Sequence, residues 1–69
     1  MTQYLVVIEM SGGTYSAFAP DLPGCVAAGD SPEEVERLLA EAIPQHIESL
    51  RAHGEPVPEP RSEARYVAV

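Results

Sequence analysis

Ser31-Pro32-Glu33-Glu34 opens the longest periodic stretch of the chain and constrains the fold more than any other feature. Ser31 suits the N-cap, Pro32 suits the first helical position, and Glu34 stands where a capping-box acid reaches back. Glu33 and Glu34 place negative charge in the first turn, where the helix dipole favours it. At about 100° per residue, Val35, Leu38, Leu39, Ala42, Ile43, Ile47 and Leu50 share one broad stripe. Glu33, Arg37, Glu41, Glu48 and Arg51 lie opposite, with Glu33 and Arg37 spaced for an i,i+4 ion pair. The spacing predicts a helix from Pro32 to about His53, stopped by Gly54 with Pro56 just beyond. Pro44 falls inside it, in the middle of the polar face. One bent helix with proline on its solvent side, wrapped over a sheet, is therefore expected.

With 69 residues the chain has room for one domain, residues 1–69. A domain this small buries only about 60% of its unfolded surface. Its single cysteine permits no internal disulfide, which fits a reducing cytosol. No apolar run approaches the ~20 residues that span a membrane. The apolar stretch Tyr4–Ile8 is too short for a signal-peptide core and lacks a basic start. A soluble, cytoplasmic protein is expected. Eleven acids stand against four bases, a net charge of -7, so a nucleic-acid backbone is repelled. The charge suits a basic partner protein, and it also serves simple solubility.

QYLVVIEM, residues 3–10, is rich in β-branched and apolar residues and reads as a first strand. Gly12 and Gly13 allow a tight hairpin into a second strand, TYSAFAP. Pro20 and Pro23 stop that pairing, because neither donates to a ladder. CVAAGD reads as a short third strand ended by Gly29. GEPVPEPRSE is a stiff, proline-rich connector. ARYVAV, residues 64–69, reads as a fourth strand, set parallel to the first by a right-handed crossover. The expected class is α+β, a two-layer βββαβ fold. It has a mostly antiparallel four-stranded sheet and one kinked helix on one face.

One helix covers one sheet face. Yet the first strand is apolar on both: Tyr4, Val6 and Ile8 on one, Leu5 and Val7 on the other, with Glu9 joining the second set. The face of Leu5, Val7 and Glu9 is taken as the uncovered one. An open apolar face on a small domain points to self-association or a protein partner.

Few residues have catalytic potential. Cys25 lies six residues before the N-cap and near Asp21 and Asp30, which would raise its pKa, so it reads as a strand cysteine. His46 falls on the apolar stripe and His53 is seven residues on, about 10 Å along the axis and too far for one shared metal. Glu9, Asp21, Asp30 and Glu34 are the early carboxylates that a metal-dependent nuclease would have to converge. They fall mostly at turns and the helix cap. No phosphate-loop, GxSxG or CxxC motif is present, and no cofactor or metal is expected.

PDLPGCVAAGDSPEEV, after YLVVIE and YSAFA and before GEPVPEP, resembles the HicB antitoxin family. The resemblance runs over nearly the whole chain as an ordered set of individually weak features. It implies a partial RNase H-like βββαβ fold without the nuclease active site. It also implies a role: neutralising, by occlusion, a small basic HicA-type toxin, an mRNA-cleaving RNase with a double-stranded-RNA-binding-domain-like fold and a catalytic histidine. Pro20, Asp21, Pro23, Gly24 and Cys25 then form a structural turn, with Asp21 accepting nearby backbone N–H groups. Ser31 and Glu34 form the helix cap. Many family members add a C-terminal DNA-binding domain, which the sequence through Val69 does not include. The competing readings are a homo-oligomeric domain (dimer or tetramer) without a toxin, and a residual metal nuclease using Glu9 and Asp21.

Overall fold

The computed structural model describes residues 2–69. Its elements are β1 (Val7–Ser11), β2 (Thr14–Phe18), β3 (Val26–Gly29) and α1 (Pro32–Ala52). The strands form one antiparallel sheet in the order β1-β2-β3. The chain is thus α+β, a meander followed by a helix.

Gly12 and Gly13 have φ of 59° and 84°, the paired positive values that a two-residue hairpin of matching twist requires. Ser11 therefore pairs with Thr14, and the register runs back to Val7 opposite Phe18. There the ladder ends, so β1 starts at Val7 rather than at Gln3. Backbone groups of a strand point alternately to its two neighbours. The Ala19 N–H donates to the Cys25 carbonyl at 3.1 Å, on the β3 side. The next donor toward β1 would come from Pro20, which has no N–H. Tyr4–Val6 continue without a ladder, although Tyr4 and Val6 still pack on the core.

The helix begins as the sequence dictates. The Ser31 hydroxyl accepts the Glu34 N–H at 3.1 Å, and the Glu34 carboxylate accepts the Asp30 N–H at 2.7 Å. The reciprocal bond thus lands one residue before the cap. Gly29 makes this possible, because a Cβ there would overlap the Glu34 carboxylate. The helix ends at Ala52 with His53 as the C-cap. Gly54 N–H donates to the Arg51 carbonyl and Glu55 N–H to the Leu50 carbonyl, with Gly54 at φ 69°. This paired pattern is a Schellman stop. Pro44 lies within one continuous helix. Arg37 pairs with Glu41 at 3.5 Å rather than with Glu33; both side chains are exposed, so the pair contributes little.

The core is Ala17, Ala19, Leu22, Cys25, Val35 and Leu39. Small residues on the sheet let the helix approach closely. The helix lies over β2 and β3 and touches β1 only lightly. Ile8 and Met10, on the helix-side face of β1, consequently remain exposed, Met10 at 67%.

The expected fourth strand does not form: residues 55–69 carry no regular structure. The connector is instead tied down at two points. Tyr4 Oη donates to the Pro58 carbonyl at 2.6 Å, and Asp21 holds Arg61 and Ser62. Beyond Ser62 the chain leaves the body, with Tyr66, Val67 and Val69 exposed. The radius of gyration, 13.2 Å, reflects this arm. A compact chain of this length would give about 11 Å.

Candidate partner-binding surface

The Pro20–Cys25 segment is two turns placed back to back. Leu22 N–H donates to Ala19 O at 3.0 Å, and Cys25 N–H donates to Leu22 O at 3.1 Å. In the second turn Pro23 and Gly24 occupy the central positions, and Gly24 has φ 85°. That is the Pro-Gly signature of a type II turn. The two turns meet at Leu22, which is fully buried. Cys25 is buried beside it, and loss of solvation pushes its thiol pKa up. A poor thiolate in a closed core is a small apolar residue, not a nucleophile.

Asp21 works differently from its expected role. Its partners are not in the turn but some forty residues on. Oδ2 accepts the backbone N–H groups of Arg61 and Ser62, each at 3.0 Å, and Oδ1 accepts the Ser62 hydroxyl at 2.9 Å. The Ser62 and Arg61 N–H groups hold the carboxyl below its usual pKa, against an opposing effect of burial. A depressed folded-state pKa means that this contribution is present above the unfolded value of about 4. It is lost as pH falls through the folded value. Asp21→Asn is therefore expected to lower the thermal midpoint at neutral pH and to flatten the loss of stability below about pH 4. The difference between wild type and variant is the readout. Trypsin cleavage after Arg61 should also speed up in the variant. Equal melting and equal cleavage would remove the clasp role.

Opposite the helix, the sheet presents one continuous apolar row. Val7 pairs with Phe18, and Phe18 pairs with Val26, so all three share a face. Ala17, in the register between, faces the core. Glu9 and Ser16 form the next pair on the outer face, with Ala28 beside Ser16. Val7 and Phe18 are half-buried, while Val26 is 67% exposed. Leu5, between the core-packed Tyr4 and Val6, is also half-buried. The sequence reading named Leu5, Val7 and Glu9 for this surface but missed Phe18 and Val26. Alternation about Ala17 and Ala19 in the second strand carried that signal.

The remaining titratable residues do not converge. Among the described residues, no three His, Cys, Asp or Glu side chains come together as a metal site. Glu9 is on the outer sheet face, Asp21 on the clasp, and Asp30 and Glu34 at the helix cap. His46 is half-buried, and His53 Nδ1 lies 2.7 Å from the Ser49 carbonyl. No described helix is long and apolar enough to cross a membrane.

These features define a small α+β module whose distinctive surface is an apolar sheet face. The family model of the HicB-like antitoxin of bacterial toxin-antitoxin systems matches residues 4–68. The chain belongs to this HicB-like family. It is 46% identical over 56 residues to a UPF0150 protein of Synechocystis, covering 80% of this chain and 71% of that one. A UPF0150 protein of Thermoplasma acidophilum is 33% identical over 63 residues, 91% of each chain. An uncharacterized 14.9 kDa protein of Haemophilus phage HP1 is 34% identical over 64 residues; the match covers 93% of this chain but 48% of the phage protein. No solved structure matches.

Proposed function

We propose that the protein is an antitoxin module that neutralises a small basic HicA-type mRNA-cleaving toxin in the cytoplasm by covering it, without chemistry of its own. The observation that carries this reading is the outer row of Val7, Phe18 and Val26, flanked by Leu5 and Glu9. A well-packed apolar row with a polar margin is the usual anatomy of a protein interface. The net charge of -7 favours encounter with a cationic partner and disfavours direct contact with RNA or DNA. On this reading the module acts as a homo-oligomer, dimer or tetramer. Its three strands and helix form the framework of a partial RNase H-like fold.

The test is RNA cleavage by a HicA-type RNase from the same host, titrated with this protein. Stoichiometric inhibition is expected. Phe18→Glu should weaken it by roughly 30-fold, the equivalent of about 2 kcal/mol at an interface centre. Unchanged cleavage at molar excess of wild type would sink the antitoxin reading. Full inhibition by Phe18→Glu would instead move the interface elsewhere.

A further inference from the structure

The register of the outer sheet face sorts its side chains by size. Val7, Phe18 and Val26 form one row; Glu9, Ser16 and Ala28 form the next; Ser11 and Thr14 follow. The first row is bulky. The second is small apart from Glu9 at its β1 end, and its Ser16 and Ala28 are exposed. The second row is therefore a trough beside a ridge topped by Phe18 and Val26. Two strand spacings of about 4.8 Å make it about 10 Å long.

Glu9 closes the β1 end of this trough. It is the one charged residue in the three strands. It is exposed, and among the described residues no cation pairs with it: the two ion pairs there join Arg37 to Glu41 and Arg65 to Glu63. Ser16 stands directly opposite Glu9. Phe18 is its diagonal neighbour, a spacing that aromatic and long side chains bridge. A carboxylate, a hydroxyl and an aromatic ring thus meet at one end of a trough with an apolar wall.

We infer that the trough takes an arginine side chain of the partner. Its stem lies over Ala28 and Ser16, against Val26 and Phe18, and its guanidinium sits on the Glu9 carboxylate. Arginine fits this place better than lysine. A carboxylate accepts two parallel N–H groups from a guanidinium, whereas an ammonium is a point charge. The planar guanidinium also stacks on an aromatic ring such as Phe18. It is more weakly hydrated, so an apolar ridge closes beside it at lower cost. The net charge of -7 draws cations to the whole surface; the trough matches stem, plane and charge at one point. The inference deepens the toxin-binding reading and rests on it for the protein that brings the arginine.

Two peptides test the site on the isolated protein by NMR: acetyl-Leu-Arg-Leu-amide and its counterpart with lysine in the middle. The arginine peptide is expected to shift the amide signals of Glu9, Ser16, Phe18 and Ala28 saturably, and the lysine peptide more weakly. Glu9→Gln should weaken the response about tenfold. Ser16→Leu, which fills the trough without changing charge, should weaken it as well. Glu48→Gln removes the same charge from the exposed face of the helix and should change nothing. No saturable response, an equal response to lysine, or one undiminished in Glu9→Gln would each overturn the inference. With a HicA-type RNase from the same host, Glu9→Gln should weaken inhibition about 30-fold and Glu48→Gln should not. If the wild type fails to inhibit that RNase while the trough still selects the arginine peptide, the antitoxin reading falls and the arginine site stands.

Discussion

Leu22→Ala is expected to remove a large part of the domain's stability. Leu22 sits in a loop, where truncation is ordinarily harmless, yet it is fully buried and joins Ala19, Cys25, Val35 and Leu39 in the core. Removing a buried leucine side chain to the β-carbon costs about 2–5 kcal/mol, depending on how far the site collapses. At about 0.05–0.15 kcal/mol per residue, a 69-residue domain holds roughly 3–10 kcal/mol in total. The truncation therefore removes a large part of the stability. Backbone rigidity increases the loss. Leu22 is the shared corner of two hydrogen-bonded turns, so the surrounding loop has little freedom to close over the void. Urea unfolding followed by circular dichroism would show the midpoint shift at an unchanged slope. Leu38→Ala, a half-buried position, serves as the comparison and should cost less. A Leu22→Ala loss below about 1 kcal/mol would mean that the loop packs on the core without contributing to it.

Pro44→Ala is expected to move stability in the opposite direction. Proline in a helix interior is about 3 kcal/mol less favourable than alanine. It lacks the N–H that would bond the Ala40 carbonyl and crowds that same carbonyl. Two effects oppose the gain. Proline restricts the unfolded chain, worth about 0.4–1 kcal/mol. Its ring also lines a groove with Tyr4, Ile43, Ile47, Val57 and Pro58. The residue is nonetheless exposed overall, so the lost contact is small. A net gain of about 1–2 kcal/mol is the expected result, read by calorimetry as a rise of roughly 4–8 °C per kcal/mol. A lower midpoint would show that the groove contact outweighs the helix bond.

The helix was the most legible part of the sequence because its signals are local. Ser31, Pro32 and Gly54 act through neighbours within a few residues and each took its expected role, while Glu34 reached back to the Asp30 N–H, one residue before the cap. The glycine hairpin was legible for the same reason. The sheet was legible only in part. Strand identity follows from residue type, but the start of β1 depends on which way Ala19 and Pro20 face across the sheet. Asp21 is the clearest failure of local reasoning. Its residue type announces a turn acceptor, and it does accept backbone N–H groups, but from Arg61 and Ser62. The fourth strand failed similarly. ARYVAV has strand chemistry, but residues 55–69 carry no regular structure although β1 stands at the edge of the sheet. The outer face was half legible, because Leu5, Val7 and Glu9 lie along one run, whereas Phe18 and Val26 join them only through register.

The two ties on the connector also bear on the order in which the chain assembles. Tyr4 to Pro58 and Asp21 to Ser62 close separations of 54 and 41 residues. The hairpin and the helix, by contrast, close over a few residues each. Loop-closure entropy delays distant contacts until local ones have formed. The meander and helix thus make the natural nucleus, and the connector docks afterwards. Contacts made after the barrier hold the native state without speeding its formation. Substitutions at Tyr4 or Asp21 are accordingly expected to speed unfolding, and substitutions among the buried residues of the sheet and helix to slow folding as well.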